Sequence, residues 1–146
     1  MSRLVRANLI KVLRSGCILT EKGEGLWAEL RSRLAGKARI SGVGVPLGEH
    51  GFAILVRQGA RRVRLGVEQR DEAIRAGAQG AIILVYQGGR LRMPGVSEDV
   101  SVDYPDLFGE VMSALGPREG DAVVIAYADD PLTAEYGALA AALSLL

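Results

Sequence analysis

The side chains that most often perform catalysis or bind metals are scarce in this chain. It contains one cysteine, Cys17, and one histidine, His50, in well-separated segments. A zinc or transition-metal site needs several thiolate or imidazole ligands to converge. A Ser-His-Asp triad would need His50 beside a serine on a G-x-S-x-G turn, which the sequence lacks. We therefore expect no metal, no cofactor and no catalytic residues, with Cys17 packed on a strand and His50 in an exposed turn.

Acidic side chains gather at the start of a predicted helix over residues 68–77. Carboxylates beside an arginine could bind a polar ligand or exchange protons, although acids in a first helical turn are also stabilised by the helix dipole. Asp130, directly before Pro131, can cap a helix or line a polar pocket. The candidate ligand-pocket residues are Glu68, Arg70, Asp71, Glu72 and Asp130.

Basic side chains concentrate at the other end of the chain. Residues 1–40 contain nine Lys and Arg against three Glu, and residues 98–146 contain ten Asp and Glu against Arg118 alone. A basic segment gains affinity for nucleic acid because binding phosphates releases counterions, so we expect any DNA contact in the N-terminal part. The alternative is that these cations are ordinary solvated charges. The candidate DNA-contact residues are Lys11, Arg14, Ser15 and Lys22.

These candidate DNA contacts fall on a predicted β-hairpin over residues 9–20, with residues 14–16 at its tip because serine and glycine suit a tight turn. Thr20 can cap a following helix that extends to about Leu34, and Gly36 ends it. We expect one apolar stripe of this helix to pack inward. The stripe comprises Leu26, Trp27, Leu30 and Leu34.

The rest of the chain predicts an α+β fold. Residues 40–51 contain four glycines and a proline and predict a junction, within which residues 42–48 form a flexible linker. A polar loop is expected over residues 94–103. Because a helix and a sheet must each bury an apolar face, we expect two layers, with an antiparallel or mixed sheet and the helices on one face. The predicted strands are 52–57, 62–67, 81–86, 90–93 and 121–127, the first two forming a hairpin, and the helices are 68–77, 105–115 and 132–146.

The run from Leu9 to Gly23 resembles the wing of a winged helix-turn-helix and the start of its closing helix, where an L-T-x-K-G segment commonly follows the second wing strand; residues 19–23 read Leu-Thr-Glu-Lys-Gly. Residues 68–84 and 120–125 resemble an archaeal winged-helix regulator-like family of unassigned function with a C-terminal two-layer α+β domain. The resemblance implies a β-β-α-β-β-α layout with additions, similar to a pterin dehydratase and to inserts in some aminoacyl-tRNA synthetases.

In proteins of that kind, two helices and a recognition helix precede the wing, and here residues 2–6 would represent the end of the recognition helix. Base-specific readout by the fold comes from the recognition helix, whereas a wing mostly contacts phosphates or the minor groove. We therefore expect the chain to lack the helix-turn-helix part and to bind duplex DNA weakly, without sequence preference.

These features together predict a fragment of a transcription regulator. Residues 1–39 would form a partial winged helix, and residues 40–146 an α+β domain that binds an unidentified small-molecule effector or dimerises. We expect it not to be an enzyme. Two alternatives stay open: a stand-alone ligand-binding or oligomerising protein without DNA binding, and a small enzyme that uses the acidic residues of the α+β domain. An in-frame helix-turn-helix encoded upstream would favour the regulator over the first alternative.

The composition, with 49% hydrophobic and 24% charged residues, is that of a globular protein. No run approaches the roughly 20 apolar residues that a membrane span requires. One cysteine and early charges such as Arg3 are not typical of a secreted scaffold. We expect a cytoplasmic protein without membrane contact.

The predicted C-terminal helix is apolar on nearly every side, and such a helix is normally buried all round. We expect one stripe to cover the sheet, formed by Leu132, Tyr136, Leu139, Leu143 and Leu146. The other faces, which include Ala138 and Leu145, would then remain for a partner, and a homodimer through them is expected. The alternative is a monomer that tolerates an alanine-rich surface.

Overall fold

A computed structural model of the chain describes residues 2–41 and 48–146. The chain divides into two compact units, one ending at Arg33 and the other comprising Leu34–Leu146. This boundary lies earlier than the predicted one, because residues 34–40 form a strand of the second unit. None of the described helices is long and apolar enough to cross a membrane.

The first unit is a β-hairpin between two helices. Its elements are α1 Ser2–Arg6, β1 Ile10–Leu13, β2 Gly16–Leu19 and α2 Glu21–Arg33. β1 and β2 pair antiparallel with Leu13 opposite Gly16, so Arg14 and Ser15 form a two-residue turn. Gly16 has a φ of 136°, which glycine adopts without steric cost. The predicted hairpin is therefore present, with a tip one residue shorter than expected.

Thr20 caps α2 as predicted, because its Oγ1 accepts a hydrogen bond of 3.0 Å from the N–H of Gly23. The same hydroxyl donates to the carbonyl oxygen of Asn8 at 2.6 Å. The prediction that the apolar stripe of α2 packs inward is wrong within this unit, because residues 2–33 provide no second layer for it. The exposed members of the stripe are Leu26 and Trp27, and Leu30 is half-buried.

The second unit contains a five-stranded antiparallel sheet with the strand order β3-β4-β7-β5-β6. Its strands are β3 Leu34–Ile40, β4 His50–Val56, β5 Gly80–Gln87, β6 Arg90–Arg92 and β7 Ala122–Ala128. Its helices are α3 Val67–Arg75, α4 Val100–Asp103, α5 Pro105–Ala114 and α6 Pro131–Leu143. The α+β prediction is confirmed at this level.

Helices cover both faces of this sheet, so the expectation of two layers with helices on one face is wrong. Along β4, Phe52 and Ile54 face a core formed with α3 and α6. The alternate residues Ala53 and Leu55 face a second core formed with α4 and α5. Since successive side chains of a strand point to opposite faces, the apolar run of β4 has no solvent face and requires a layer on each side.

Two local predictions about the second unit are wrong. The predicted strand over residues 62–67 is absent: residues 59–62 form a 3₁₀ turn, and Gly66, with a φ of 78°, leads into α3. That segment could not pair with β4, because β3 and β7 occupy both edges of β4. The predicted loop over residues 94–103 contains α4, capped by Asp99, whose Oδ1 accepts from the N–H of Ser101 at 3.0 Å.

The C-terminal helix forms with Asp130 as its cap, as predicted, but it turns the opposite face to the sheet. The buried face consists of small residues, namely Ala134, Gly137, Ala138, Ala141 and Ala142. Leu145, just beyond the end of the helix, is also buried. The large side chains of the predicted inward stripe are exposed instead: Leu132, Tyr136, Leu139 and Leu143. The face of small residues packs against the sheet because it allows a short distance between the helix and the sheet. A Cβ on Gly137 would lie 2.7 Å from the Cβ of Ala78 and 3.1 Å from that of Ala126.

This close approach predicts a sharp difference between two helical glycines. Gly137→Ala should lower the free energy of unfolding by about 1–3 kcal/mol, because the added methyl group overpacks the contact with Ala78. The matched control is Gly109→Ala on α5, where a Cβ would meet nothing within 4 Å; it should be neutral or stabilising by up to about 1 kcal/mol. Urea denaturation measures both, and equal stability of the two variants would contradict the packing of α6.

Candidate functional site

The predicted DNA-contact residues all lie in the first unit. Arg14 and Ser15 form the turn of the hairpin, and Lys11 is exposed on β1. Lys22, in the first turn of α2, donates from Nζ to the carbonyl oxygen of Ala7 at 3.1 Å. Lys11 and Lys22 line one shallow hollow at the base of the hairpin, together with Glu21. The structure therefore places two of the cations together and the third at the tip.

The start of α2 is held close to the base of the hairpin. A Cβ on Gly23 would lie 2.0 Å from the carbonyl oxygen of Leu9, so only glycine permits this approach. The N–H of Thr20 donates to the same oxygen at 2.9 Å. The Leu-Thr-Glu-Lys-Gly segment thus fixes the position of Lys22, in the first turn of α2, relative to the hairpin.

Apolar side chains of this unit are largely exposed. Among residues 2–33 the buried ones are Thr20 and Gly23, and Trp27 has 52% of its surface exposed. Cys17 lies on β2 as predicted but is exposed rather than packed. The register places Val12 and Ile18 on opposite faces of the hairpin, so exposed apolar side chains lie on both of its faces. The large exposed residues are Leu4, Val5, Val12, Leu13, Ile18, Leu19, Leu26 and Trp27.

The predicted ligand-pocket residues are not brought together. Gly77, just after α3, approaches Thr133 in the first turn of α6, so Asp130 lies at the opposite end of α3 from Glu68. On α3, Arg70 Nη2 lies 3.4 Å from Asp71 Oδ1, and Arg75 Nη1 lies 2.6 Å from Glu72 Oε1. Arg70 and Glu68 line adjoining grooves of about 230 and 170 Å³ that share Leu65, Gly66 and Val67.

Asp130 acts as a helix cap. Its Oδ1 accepts from the N–H of Thr133 at 2.9 Å, and the hydrogen bonds from Thr133 hold the pKa of Asp130 below its ordinary value. A carboxylate at a helix N-terminus is explained by capping and by the helix dipole. The described residues contain no group of three or more His, Cys, Asp or Glu side chains that could hold a metal ion.

A cleft of about 340 Å³ lies where β3 ends, β4 begins and α5 passes nearby. Ser41 is bound to Glu110 of α5: its N–H donates to Oε1 at 2.5 Å and its hydroxyl donates to Oε2 at 2.9 Å. His50 is half-buried at the start of β4, opposite Ala128, rather than in the predicted exposed turn, because the apolar run after it continues a strand. The polar residues that line the cleft are Arg39, Ser41, Glu49, His50 and Glu110. Most of the predicted linker, residues 42–47, lies outside the described residues.

Tyr127 of β7 is the polar group that the sequence did not single out. It is 1% exposed, and its hydroxyl has no hydrogen-bond partner among the described residues. Its ring packs over Gly51, which lines the cleft; a Cβ on Gly51 would lie 2.8 Å from Tyr127 Cε1. Burial, and secondarily the nearby charge of Glu110, raise the pKa of Tyr127 to about 12. The phenol therefore stays protonated. Because Tyr127 lies inside the apolar run 122–128, the sequence gives no signal that its hydroxyl is buried without a hydrogen-bond partner among the described residues.

The model of a family of uncharacterised domains matches residues 47–145, which include β4 to α6 and thus most of the sheet and both helical layers. The chain belongs to this family, the domain of unknown function DUF4443. The match confirms the expectation of a family of unassigned function. The connection of DUF4443 to winged-helix regulators stays a prediction.

A solved structure resembles nearly the whole chain, including the part before the DUF4443 domain. It is the hypothetical protein PH0730 from Pyrococcus horikoshii OT3, at 28% sequence identity and a TM-score of 0.69. The alignment covers 99% of this chain and 72% of PH0730. No curated protein matches the sequence. The similarity therefore extends to both units of the chain, and the name of PH0730 assigns no activity.

The buried phenol predicts a defined loss of stability in alkali. Below pH 10 Tyr127 is protonated in the folded and unfolded chain alike, so it contributes no pH dependence. As the pH rises from 10.0 towards about 12, the unfolded chain releases the proton and the folded chain retains it, so the free energy of unfolding falls.

Tyr127→Phe should remove this part of the loss of stability in alkali. The free energy of unfolding of the variant should therefore fall less than that of wild type as the pH rises, by a difference that grows to about 2 kcal/mol. Urea midpoints of wild type and variant near neutral pH and above pH 10 measure it. The matched control is Tyr136→Phe, whose ring is 56% exposed and which should follow wild type. An equal alkaline loss in wild type and Tyr127→Phe would contradict the burial of the phenol.

Proposed function

We propose that the chain is part of a DNA-binding transcription regulator in which the β1–β2 hairpin contacts duplex DNA and residues 34–146 provide dimerisation and effector binding. The role is not enzymatic. The observation that carries the proposal is the helix–hairpin–helix order of the first unit, with Arg14 at the exposed turn and Lys11 and Lys22 at its base.

The positions of the cations favour phosphate contact. Lysine and arginine on an exposed hairpin can reach the DNA backbone, and such contacts position a protein without reading sequence. The cation of Lys22 is further restrained by its bond to Ala7, which lowers the entropic cost of presenting it. Binding through this unit alone is therefore weak and independent of sequence.

Dimerisation is supported by the exposed stripe on α6. Its four large side chains recur at intervals of three and four residues and thus share one face: Leu132, Tyr136, Leu139 and Leu143. A helix with one face buried in its own sheet and a second apolar face in solvent is typical of an interface element. A two-fold pair of such helices would bury the stripe, and the resulting dimer would carry two hairpins.

Effector binding is supported by the cleft beside Glu110, which is large enough for a small polar molecule. Its lining offers both signs of charge, from Arg39 and Glu49, and the half-buried His50. A stand-alone ligand-binding protein that uses this cleft without DNA is the second candidate. It predicts ligand binding with no affinity for duplexes at low salt.

The first test is a titration of labelled duplexes of unrelated sequence at several salt concentrations. Wild type should bind all of them with similar, weak affinity that falls steeply with salt. Lys11→Ala and Arg14→Ala should each weaken binding to every duplex and reduce the slope of log K against log salt by about 1.

Arg90→Ala on β6 is the matched control, since it removes an exposed cation from the other unit and should leave binding unchanged. Tight binding to a single sequence at physiological salt would show that another element reads DNA. Loss of binding in Arg90→Ala, with none in Arg14→Ala, would move the contact away from the hairpin.

The second test concerns the α6 stripe. Leu139→Glu should convert a dimer to a monomer at micromolar concentration, because a charge at the centre of an apolar interface is left unpaired. Light scattering after gel filtration measures the mass. Val102→Glu on α4, another exposed apolar position, is the control and should remain dimeric. Leu145 is unsuited to this test because it is 0% exposed and its substitution would disrupt the core. A wild-type chain that is monomeric throughout removes dimerisation from the proposal.

A further inference from the structure

One edge of strand β5 has no paired strand along its first half, although Ile82, Ile83 and Leu84 are largely buried by their neighbours. β6 pairs only with Val85, Tyr86 and Gln87. The preceding stretch, Gly80 to Leu84, is paired with β7 on one side and with no described strand on the other. A sheet edge of this kind offers backbone donors and acceptors to an added strand.

The register identifies which groups face the open edge. Tyr86 donates its N–H to the carbonyl oxygen of Asp121 at 2.9 Å, so Tyr86 points towards the β7 side. Because backbone groups alternate between the two sides of an antiparallel strand, Ile82 and Leu84 also bond to β7. The N–H and C=O groups of Ala81 and Ile83 therefore point to the open side.

The edge is open because the chain after β6 turns away from β5. The N–H groups of Val96 and Ser97 both donate to the carbonyl oxygen of Met93 at 2.9 Å, which closes a tight turn. Pro94 has no N–H to offer β5, and Gly95, with a φ of 77°, completes the reversal. β6 consequently ends before it could reach the position opposite Ile83.

A groove of about 230 Å³ runs along this edge, with apolar walls on both faces of the sheet. Leu65, which is 67% exposed, and Val67 form one wall, and Val96, which is 64% exposed, stands in the other. Proteins commonly protect a free edge with charged residues or proline. The edge residues Ala81, Ile82 and Ile83 carry neither.

The wall that contains Leu65 is strongly basic. Residues 59–70 carry four arginines and one acid, Glu68. Arg61, Arg62 and Arg64 are exposed, and no ion pair to them occurs among the described residues. The fourth, Arg70, makes only an exposed contact of 3.4 Å with Asp71, which contributes little stability. Arg70 lines this groove, and Arg64 lines an adjoining groove that shares Leu65, Gly66 and Val67 with it.

We propose that this groove binds an extended segment of a partner protein as a sixth strand of the sheet. Ala81 and Ile83 bond to its backbone, and its apolar side chains alternate between the two walls. Acidic residues at one end of the segment pair with Arg64 and Arg70. The site lies wholly in the second unit and is independent of the hairpin's role on DNA.

Charge argues against a second copy of this chain as the occupant. A two-fold antiparallel pairing through β5 keeps equivalent faces together, so the loop with Arg61, Arg62 and Arg64 would lie on the same face as its symmetry mate. Like charges placed close together in an interface oppose association. An acidic segment instead gains from the same arginines.

The test is fluorescence polarisation with a labelled synthetic peptide of three glutamates followed by five residues in which valine alternates with isoleucine, so that apolar side chains reach both walls. It should bind the full chain, and replacement of the glutamates by lysines should weaken binding at least about tenfold. Arg64→Ala and Leu65→Ser should each weaken binding of the acidic probe. The matched controls Arg75→Ala and Val102→Ser, at exposed positions away from the groove, should not.

Backbone methylation of the probe tests strand addition without altering the protein. N-methyl groups on alternate residues of one parity remove the donors that face Ala81 and Ile83, and should weaken binding at least about tenfold. Methylation of the other parity, which faces solvent, should have little effect. Absence of probe binding at millimolar concentration, or equal effects of both parities, overturns the proposal. A dimer that Leu65→Ser dissociates would identify a second copy as the occupant and also overturn it.

Discussion

The second unit depends on the complete burial of β7. All seven residues of Ala122–Ala128 are buried, because β4 and β5 flank the strand and a helical layer covers each face. Asp121, 1% exposed, fixes where this strand begins: its carboxylate accepts from Arg57 Nη1 and from the N–H groups of Gln58 and Arg118. A buried carboxylate is tolerated only when it is paired and hydrogen-bonded in this way.

The small residues around β7 determine how the helices present themselves. Gly137 sits against Ala78 and Ala126, so α6 approaches the sheet through its alanines. Close packing of backbone and methyl groups compensates for the small area of each side chain. As a consequence, the large side chains of α6 point away from the sheet and into solvent. One face of α6 is thus buried in the core, and the opposite face is exposed to solvent.

Local signals in the sequence were sufficient for many elements and insufficient for others. Thr20, Asp130 and the turn before Gly16 act through hydrogen bonds or dihedral angles within three or four residues, and each was predictable. β3 was missed because Lys37 and Arg39 alternate with buried or half-buried positions on an edge strand, a weak pattern next to a helix. The orientation of α6 was missed because it depends on the sizes of residues in β7 and after α3. The cleft joins positions as distant as Ser41 and Glu110, a pairing that no local pattern encodes.

The two units are stabilised differently, and the difference bears on function. The second unit buries two apolar cores, whereas residues 2–33 are organised mainly by hydrogen bonds at Thr20, Gly23 and Lys22, with their large apolar side chains in solvent. Such bonds define geometry but contribute only about 1 kcal/mol each. Burial of apolar surface is the dominant stabilising contribution in folded proteins. The first unit therefore gains stability when another surface covers exposed apolar side chains such as Val12 or Trp27.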